Sequence, residues 1–442
     1  MKNIFISAVF AFALAGTAGN AAARPAGEKP ASISFEQLLN HLKGGSVNDI
    51  SLPEAASEIA ILEDLKNDDR LWVTVSASDK YARTLLLEIG MDIAEVGEKS
   101  VSGFIHTPEL VTLSEKGYVV QSRQSIYGYA KQYLKDFPAA DGAYHNYKET
   151  TDVLQTLAAA NPEIASLFSI GKTVEGRDIW CLRLNTSAKG EAPSQKPGAF
   201  YMGNHHAREH LSNEVPLLLG AYLLEHKNDT DIKNYLNALD VYIVPMLNSD
   251  GVEYDIAAGK YRWQRKNMRV NSDKSIGVDL NRNYDALWCK GGASHTPSAE
   301  TYCGPSAFSE PETQAVKKFV EARKNLKTLM SYHSYSGLLL YPWGGKDVPV
   351  ENARDRKVFE KMGAAMAGLT GYKPEQSSDL YVATGDTCDW AYATAGIFAF
   401  TTELEGNGFY PGVAIIDHAV SVNIKAALYM LRVTGNPYKL AE

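Results

Sequence analysis

Four cysteines among 442 residues are too few to staple the chain into a disulfide scaffold. After the first two dozen residues, no stretch reaches the ~18 uninterrupted apolar residues that a bilayer-crossing helix requires. Nor is there a basic excess: 44 Lys and Arg stand against 52 Asp and Glu, a formal net charge of −8. Binding to nucleic acid is therefore not expected, and neither is a membrane span in the mature chain. What remains is the composition of an ordinary globular protein, 45% hydrophobic and 22% charged. The length is about three times the ~150 residues of a typical domain, so one large domain with a smaller accessory part is expected, acting as a monomer.

The opening stretch, MKNIFISAVFAFALAGTAGNAAA, places Lys2 before an apolar run from Ile4 to Leu14 and small residues Ala21 to Ala23 before Arg24. That is the order of a secretory signal peptide, assigned to residues 1–23, and it implies a secreted or periplasmic protein. In such an oxidising compartment Cys289 and Cys303, which flank the loop KGGASHTPSAETY, can close a short disulfide. The alternative is that both are free buried thiols, like Cys181 and Cys388.

Residues 24–121 are expected to form a small α+β segment. Within it, residues 71–121 read as β-α-β-β-α-β, with Ser78 or Asp79 capping the first helix and Gly90 stopping it. Residues 122–143 lack a clean period and carry Arg123, Lys131 and Lys135, the pattern of a linker or processing region. From Tyr144 onward apolar strands (IWCLRLN, GAFYMGN, DVYIVPMLN, TLMSYHSY, IFAFTTEL) alternate with helical stretches. The fold class expected for residues 144–442 is α/β, with a central mixed, largely parallel sheet covered by helices on both faces. Ligands of such sheets bind beyond the carboxyl ends of strands.

Residues 204–210, N-H-H-A-R-E-H, stand at such an end. His206 and Glu209 are three apart, so a helical or turn-like backbone puts them on one side, and imidazole with carboxylate suits zinc. A catalytic zinc needs a third protein ligand and an open position. His333, at the end of the strand in LMSYHSYSG, is the candidate. The same stretch also fits H-x-x-E-H, in which His206 and His210 bind metal and Glu209 is the base. That parse requires one continuous helix, whereas here a strand ends near Asn204 and a helix begins near Ser212.

Nine blocks in order, IGKTVEGRDIW, NHHARE, NSDG, RWQRKNMR, GVDLNRNYD, ETYCGPSAFSEPET, YHSYSG, LYVATGDTCDW and FTTELEGNG, resemble the zinc metallocarboxypeptidases of the carboxypeptidase A/B type, the funnelin group. The resemblance runs from about Tyr144 to about Val433. It implies the zinc carboxypeptidase fold, one Zn2+ per chain on His206, Glu209 and His333, and Glu403 as general base. It further implies Arg265 as the residue stabilising the oxyanion, Arg208 as a substrate guide, Asn281 with Arg282 as the clamp for a terminal carboxylate, and Tyr381 as a mobile cover. The partners implied are the C-termini of peptides or proteins. The order of residues 71–121 is like this family's pro-segments, which implies a zymogen inhibited by its own pro-segment. Cys388 and Asp386 fall where the resemblance puts the specificity pocket: Cys388 suggests an apolar preference, and Asp386 suggests that Lys or Arg is also accepted. A cell-wall-peptide metallopeptidase or amidase, or a non-catalytic binding relative, are the other classes. Loss of Asn281, Arg282 or Tyr381 would have favoured the first, and loss of a zinc ligand or Glu403 the second.

Overall fold

A computed structural model describes residues 68–126, 128–129, 141–257 and 261–442, together with a two-residue antiparallel pairing of Phe5–Ile6 with Ile33–Ser34. The secretory signal read in residues 1–23 lies otherwise outside the described residues, as does much of the linker read in residues 122–143.

The first unit follows the expected order: β1 (Arg70–Ser76), α1 (Lys80–Ile89), β2 (Asp92–Val96), β3 (Ser100–His106), α2 (Thr107–Glu115) and β4 (Val120–Ser125). Asp79 caps α1 by accepting from Tyr81 N and Ala82 N, and Gly90 ends it in the left-handed conformation. The four strands pair antiparallel in the order β2-β3-β1-β4, so β2 is an edge strand. Leu86, Ile89, Val73, Val75 and Ile105 form its core.

The second unit is a sheet of eight strands among the described residues. In chain order these are β5 (Ala165–Lys172), β6 (Asp178–Leu184), β7 (Gly198–Met202), β8 (Asp240–Val244), β9 (Leu326–Ser334), β10 (Leu338–Tyr341), β11 (Lys373–Gln376) and β12 (Phe398–Leu404). They lie in the order β11-β10-β12-β9-β7-β8-β6-β5. The pairs of β9 with β12, β9 with β7, β7 with β8 and β10 with β11 are parallel, and the other three are antiparallel. The fold is the mixed α/β sheet that was expected. Strands β7 and β8 are buried along their whole length, which is why their sequences read as continuous apolar runs.

Helices cover both faces, and α5 (Thr230–Ala238), α6 (Ser249–Asp255) and α9 (Ser377–Leu380) are short. On one side α3 (Tyr147–Ala160), α4 (Leu211–Glu225), α8 (Ala353–Thr370) and α11 (Ile416–Thr434) bury a core around Leu154, Leu219, Phe359 and Met430. On the other, α7 (Pro311–Glu321) packs Phe319 against Phe200 and Tyr242, and α10 (Thr387–Ala395) packs Trp390 against Tyr284 and Phe308. Helix α11, with the turn before it, is long and apolar enough to cross a membrane, yet it buries Val420, Ile424, Ala427 and Leu431 in the core against α4 and α8. Strands β5, β10 and β11 and helix α8 were not picked out in the sequence.

The two units share an aromatic cluster. Trp72, Phe104 and Tyr129 from the first meet Trp263, Tyr261 and Phe409 from the second. Trp72 stacks on Tyr129 with ring centroids 4.4 Å apart and meets Phe104 edge-on at 4.9 Å, and Phe104 approaches Trp263 at 5.4 Å. Around this cluster Arg70 donates to the carbonyls of Trp263 (2.9 Å) and Arg262 (2.7 Å), and Thr301 Oγ1 donates to Leu87 O (2.7 Å). His106 bridges Asp69 (2.7 Å) and Glu300 (3.4 Å). Burial opposes its charge, but those two carboxylates outweigh burial and raise its pKa to about 9.

Candidate active site

Strand β7 ends at Met202, and the chain turns sharply at Gly203, where a Cβ would meet Ser212 O at 2.0 Å. Asn204, at φ 52°, then organises the turn: its Nδ2 donates to His206 O (3.2 Å) and Glu209 O (3.1 Å). The backbone N–H groups of Ala207 and Arg208 bond the carbonyls of Arg265 (3.1 Å) and Gln264 (2.8 Å). His206 and Glu209 therefore sit on a turn, and helix α4 starts only at Leu211. His210 faces away, with Nε2 2.8 Å from Asp255 and its ring against Tyr261 and Tyr410. The parse that made His210 a ligand on one continuous helix does not hold, because the chain is not helical between His206 and His210.

Strand β9 supplies the third donor. The Nδ1 atoms of His206 and His333 lie 3.2 Å apart, Glu209 Oε1 is 2.7 Å from His206 Nδ1, and Glu209 Oε2 is 3.0 Å from His333 Nδ1. All three side chains are buried. Two imidazole nitrogens and a carboxylate turned toward one another repel or waste their lone pairs unless a cation or proton lies between them, so the donor set fits a divalent metal. Their outer atoms are held as metal-binding imidazoles usually are: His206 Nε2 on Asp279 Oδ1 (3.1 Å) and His333 Nε2 on Ser331 Oγ (3.2 Å). Burial alone would raise the Glu209 carboxyl, but His206 and His333 overcome it and hold it below the usual range.

The parallel register of β9 with β12 pairs His333 directly with Glu403, so the two side chains emerge together at the carboxyl end of the sheet. Burial, then the charge of Glu209, push the Glu403 carboxyl up to about 8 against the pull of His206, Arg265 and Arg282. Asp279 is the hub of the cationic side. Its Oδ2 accepts from Arg265 Nε (3.1 Å) and Nη2 (2.8 Å), and its Oδ1 accepts from Asn281 N (3.0 Å) besides facing His206. Arg282 donates from Nε to Gly292 O (3.1 Å) and from Nη1 to Asn281 O (2.8 Å). Thr387 donates to Asn281 Oδ1 from both N and Oγ1 (3.0 Å each).

His206, Glu209, Arg265, Asn281, Arg282, Tyr381 and Glu403 all line one cavity of about 460 Å³. Asp92 to Val96 of β2 line it as well. Asp92, buried itself, pairs with Arg265 Nη1 (3.1 Å) and with Arg208 Nη2. Arg208 lies beneath it between Phe104 and Phe409, with its guanidinium 5.1 and 4.0 Å from those ring centres. Burial and the neighbouring Arg265 push the Arg208 pKa down to about 10.

Asp386 and Cys388 do not line this cavity. Asp386 Oδ1 caps α10, accepting from Cys388 N (2.9 Å) and Asp389 N (3.0 Å), while Oδ2 is buried without a hydrogen-bond partner. Cys388 Sγ lies 3.2 Å from Thr401 Oγ1. Cys289 and Cys303 form the expected disulfide, and Cys181 and Cys388 are free and buried. Reading the sequence missed Asp279, Ser331 and Asp92. Asp279, an acid flanked by apolar residues in GVDLNR, carried a readable signal; Asp92 carried none.

The sequence profile of the zinc carboxypeptidase family matches residues 150–426. A zinc carboxypeptidase of Saccharothrix mutabilis subsp. capreolus is 32% identical over 376 residues, covering 79% of this chain and 86% of that protein. Human carboxypeptidase A6 is 29% identical over 388 residues, covering 86% of this chain and 77% of its own. Carboxypeptidase A from Helicoverpa armigera has a similar fold, with a TM-score of 0.66 at 22% identity over 85% of this chain and 98% of that one. With the profile spanning more than half of the chain and the His-Glu-His group standing at the end of its central strands, this protein belongs to the zinc carboxypeptidase family of peptide hydrolases.

Proposed function

We propose that this enzyme removes the C-terminal residue from peptides, and that the chain is made as a zymogen held inactive by its own first unit. The observation that carries the reading is that the His206, Glu209 and His333 group, Glu403, Arg265 and the Asn281–Arg282 pair converge on one cavity. His206, Glu209 and His333 would hold the zinc, which when bound would supply Lewis acidity of the kind that brings the pKa of water to about 7. Glu403, poised near neutrality by burial, accepts the proton of the attacking water and returns it to the leaving amine. Arg265, fixed by Asp279, offers its remaining N–H to the developing oxyanion. With its Oδ1 taken by Thr387, Asn281 has its amide N–H groups for a carboxylate, beside the planar fork of Arg282. Tyr381, on the cavity wall, covers the bound residue.

The zymogen reading is supported by charge. Arg208 and Arg265 are two buried cations in contact range of one carboxylate, and that carboxylate, Asp92, comes from the first unit. It lines the cavity that a substrate must enter. Secretion through the leader at residues 1–23 and cleavage within residues 122–143 complete the proposal.

Four outcomes are expected. Atomic absorption should find about one zinc per chain, lost in His206→Ala and His333→Ala and kept in His210→Ala. Glu403→Gln should keep the metal while kcat falls ~10²–10⁴-fold, and near-normal turnover would remove Glu403 from the chemistry. Asp92→Ala in the full chain should raise its activity roughly tenfold toward that of chain cut within residues 122–143, because the buried cations lose their internal partner; equal rates before and after cutting would count against a zymogen. Asp386 caps α10 outside the cavity, so Asp386→Asn, which retains the cap, should leave kcat/KM for peptides ending in Arg, Phe and Leu in the same ratio as in wild type. A loss confined to the peptide ending in Arg, on the order of 1.5–3 kcal/mol, would instead put Asp386 in contact with that side chain.

A further inference from the structure

Arg282 keeps its orientation through two backbone carbonyls, and one of them, Gly292 O, belongs to the loop closed by the Cys289–Cys303 disulfide. That loop has no regular secondary structure of its own around Gly291 and Gly292. Something outside it must fix the carbonyl, or Arg282 would lose its support. In the uncut chain Glu88 of the first unit accepts from Gly292 N (3.3 Å), and from within the second unit the side chain that does so is Thr384, which is 2% exposed. Its hydroxyl donates to Gly291 O (2.8 Å) and accepts from Lys290 N (3.2 Å) and Gly291 N (3.3 Å), while its own N–H donates to Gly291 O (3.0 Å). One donor and two lone pairs are all that a hydroxyl has, and all are used on one loop.

The same contact reaches Tyr381. Gly292, at φ +63°, lies so close to the chain after Tyr381 that a Cβ there would be 2.0 Å from Val382 O. Thr384, two residues further on, clamps this approach from the other side. One hydroxyl thus ties together the loop that orients Arg282 and the segment that carries Tyr381. We propose that Thr384 is a positioning residue for the carboxylate clamp: it touches no substrate and acts by fixing the Gly292 carbonyl under Arg282 and the Val382 backbone beside it. The proposal rests on the reading that Arg282 receives a substrate carboxylate.

The test is Thr384→Val, which keeps the shape and removes the hydroxyl, compared with Thr384→Ser, which restores it. Two quantities are read on the zinc-loaded protein after cleavage within residues 122–143: KM and kcat for a peptide with a free C-terminus, and the dissociation constant of 3-phenylpropionate measured by calorimetry. In the valine variant KM and the dissociation constant should both rise about tenfold, with kcat within about twofold of wild type, because the loss falls on binding a carboxylate and not on the bond-breaking step. The serine variant should return both values to near wild type. Unchanged KM and unchanged acid binding in Thr384→Val would overturn the proposal, as would a fall in kcat with KM constant, or equal losses in the valine and serine variants. If the valine variant does not fold, Thr384→Ala is read in the same way. A wild type that binds the acid without hydrolysing the peptide would overturn the carboxypeptidase reading and leave the binding arm to judge Thr384. A wild type that does neither overturns both.

Discussion

The buried carboxylate of Asp279 is the contact on which the rest of the site depends. One oxygen faces the outer nitrogen of His206 and receives the backbone of Asn281, and the other receives the guanidinium of Arg265. Three groups, from His206 73 residues away, Arg265 14 residues away and the neighbouring turn at Asn281, are thereby fixed against one buried negative charge. Hydrogen bonds to an ionised group are about twice as strong as neutral ones, and the cost of leaving either partner alone there is correspondingly high. Arg265 and His206 hold the Asp279 carboxyl well below its ordinary range despite burial, so the anion persists. The same carboxylate makes His206 a better electron-pair donor toward the inner side of the cluster.

Positive charge inside this region is distributed by need. Arg265 is neutralised from within the second unit by Asp279, but Arg208 has Nε and Nη1 buried without hydrogen-bond partners and is stabilised by two aromatic faces and Asp92. A guanidinium left partly unsatisfied in a folded core attracts anions strongly. The first unit meets that demand with a residue at the start of its edge strand, where no neighbouring strand competes for the approach.

Legibility in the sequence followed the range of the interactions. The central strands were readable because burial on both faces removes polar alternation, as in GAFYM and DVYIV. The turn bearing His206 and Glu209 was readable because both ligands are local, and the Cys289–Cys303 pairing because its loop is short. Strand β5 was not, since it is a half-exposed edge whose residues show no clean period, and β10 and β11 are only four residues each. Register was also out of reach: nothing in TLMSYHSY or IFAFTTEL states that His333 stands beside Glu403 rather than one residue off. Asp92 was hidden for the same reason, since its role comes from two arginines more than a hundred residues away. The capping role of Asp386 was foreseeable from its place before α10, whereas the free buried Oδ2 was not.

The aromatic cluster shared by the two units changes what cutting the chain between them means. Phe104 and Tyr129 reach across the junction to Trp263, at 5.4 and 5.2 Å between ring centres, and Trp72 stacks behind them in the same cluster, so neither unit owns a complete layer there. Breaking one peptide bond in the connecting segment removes none of that buried apolar area. What it removes is the tether, and with it the high effective concentration that keeps the pieces together. Association then becomes a matter of mass action, so the nicked protein comes apart on dilution and re-forms on concentration.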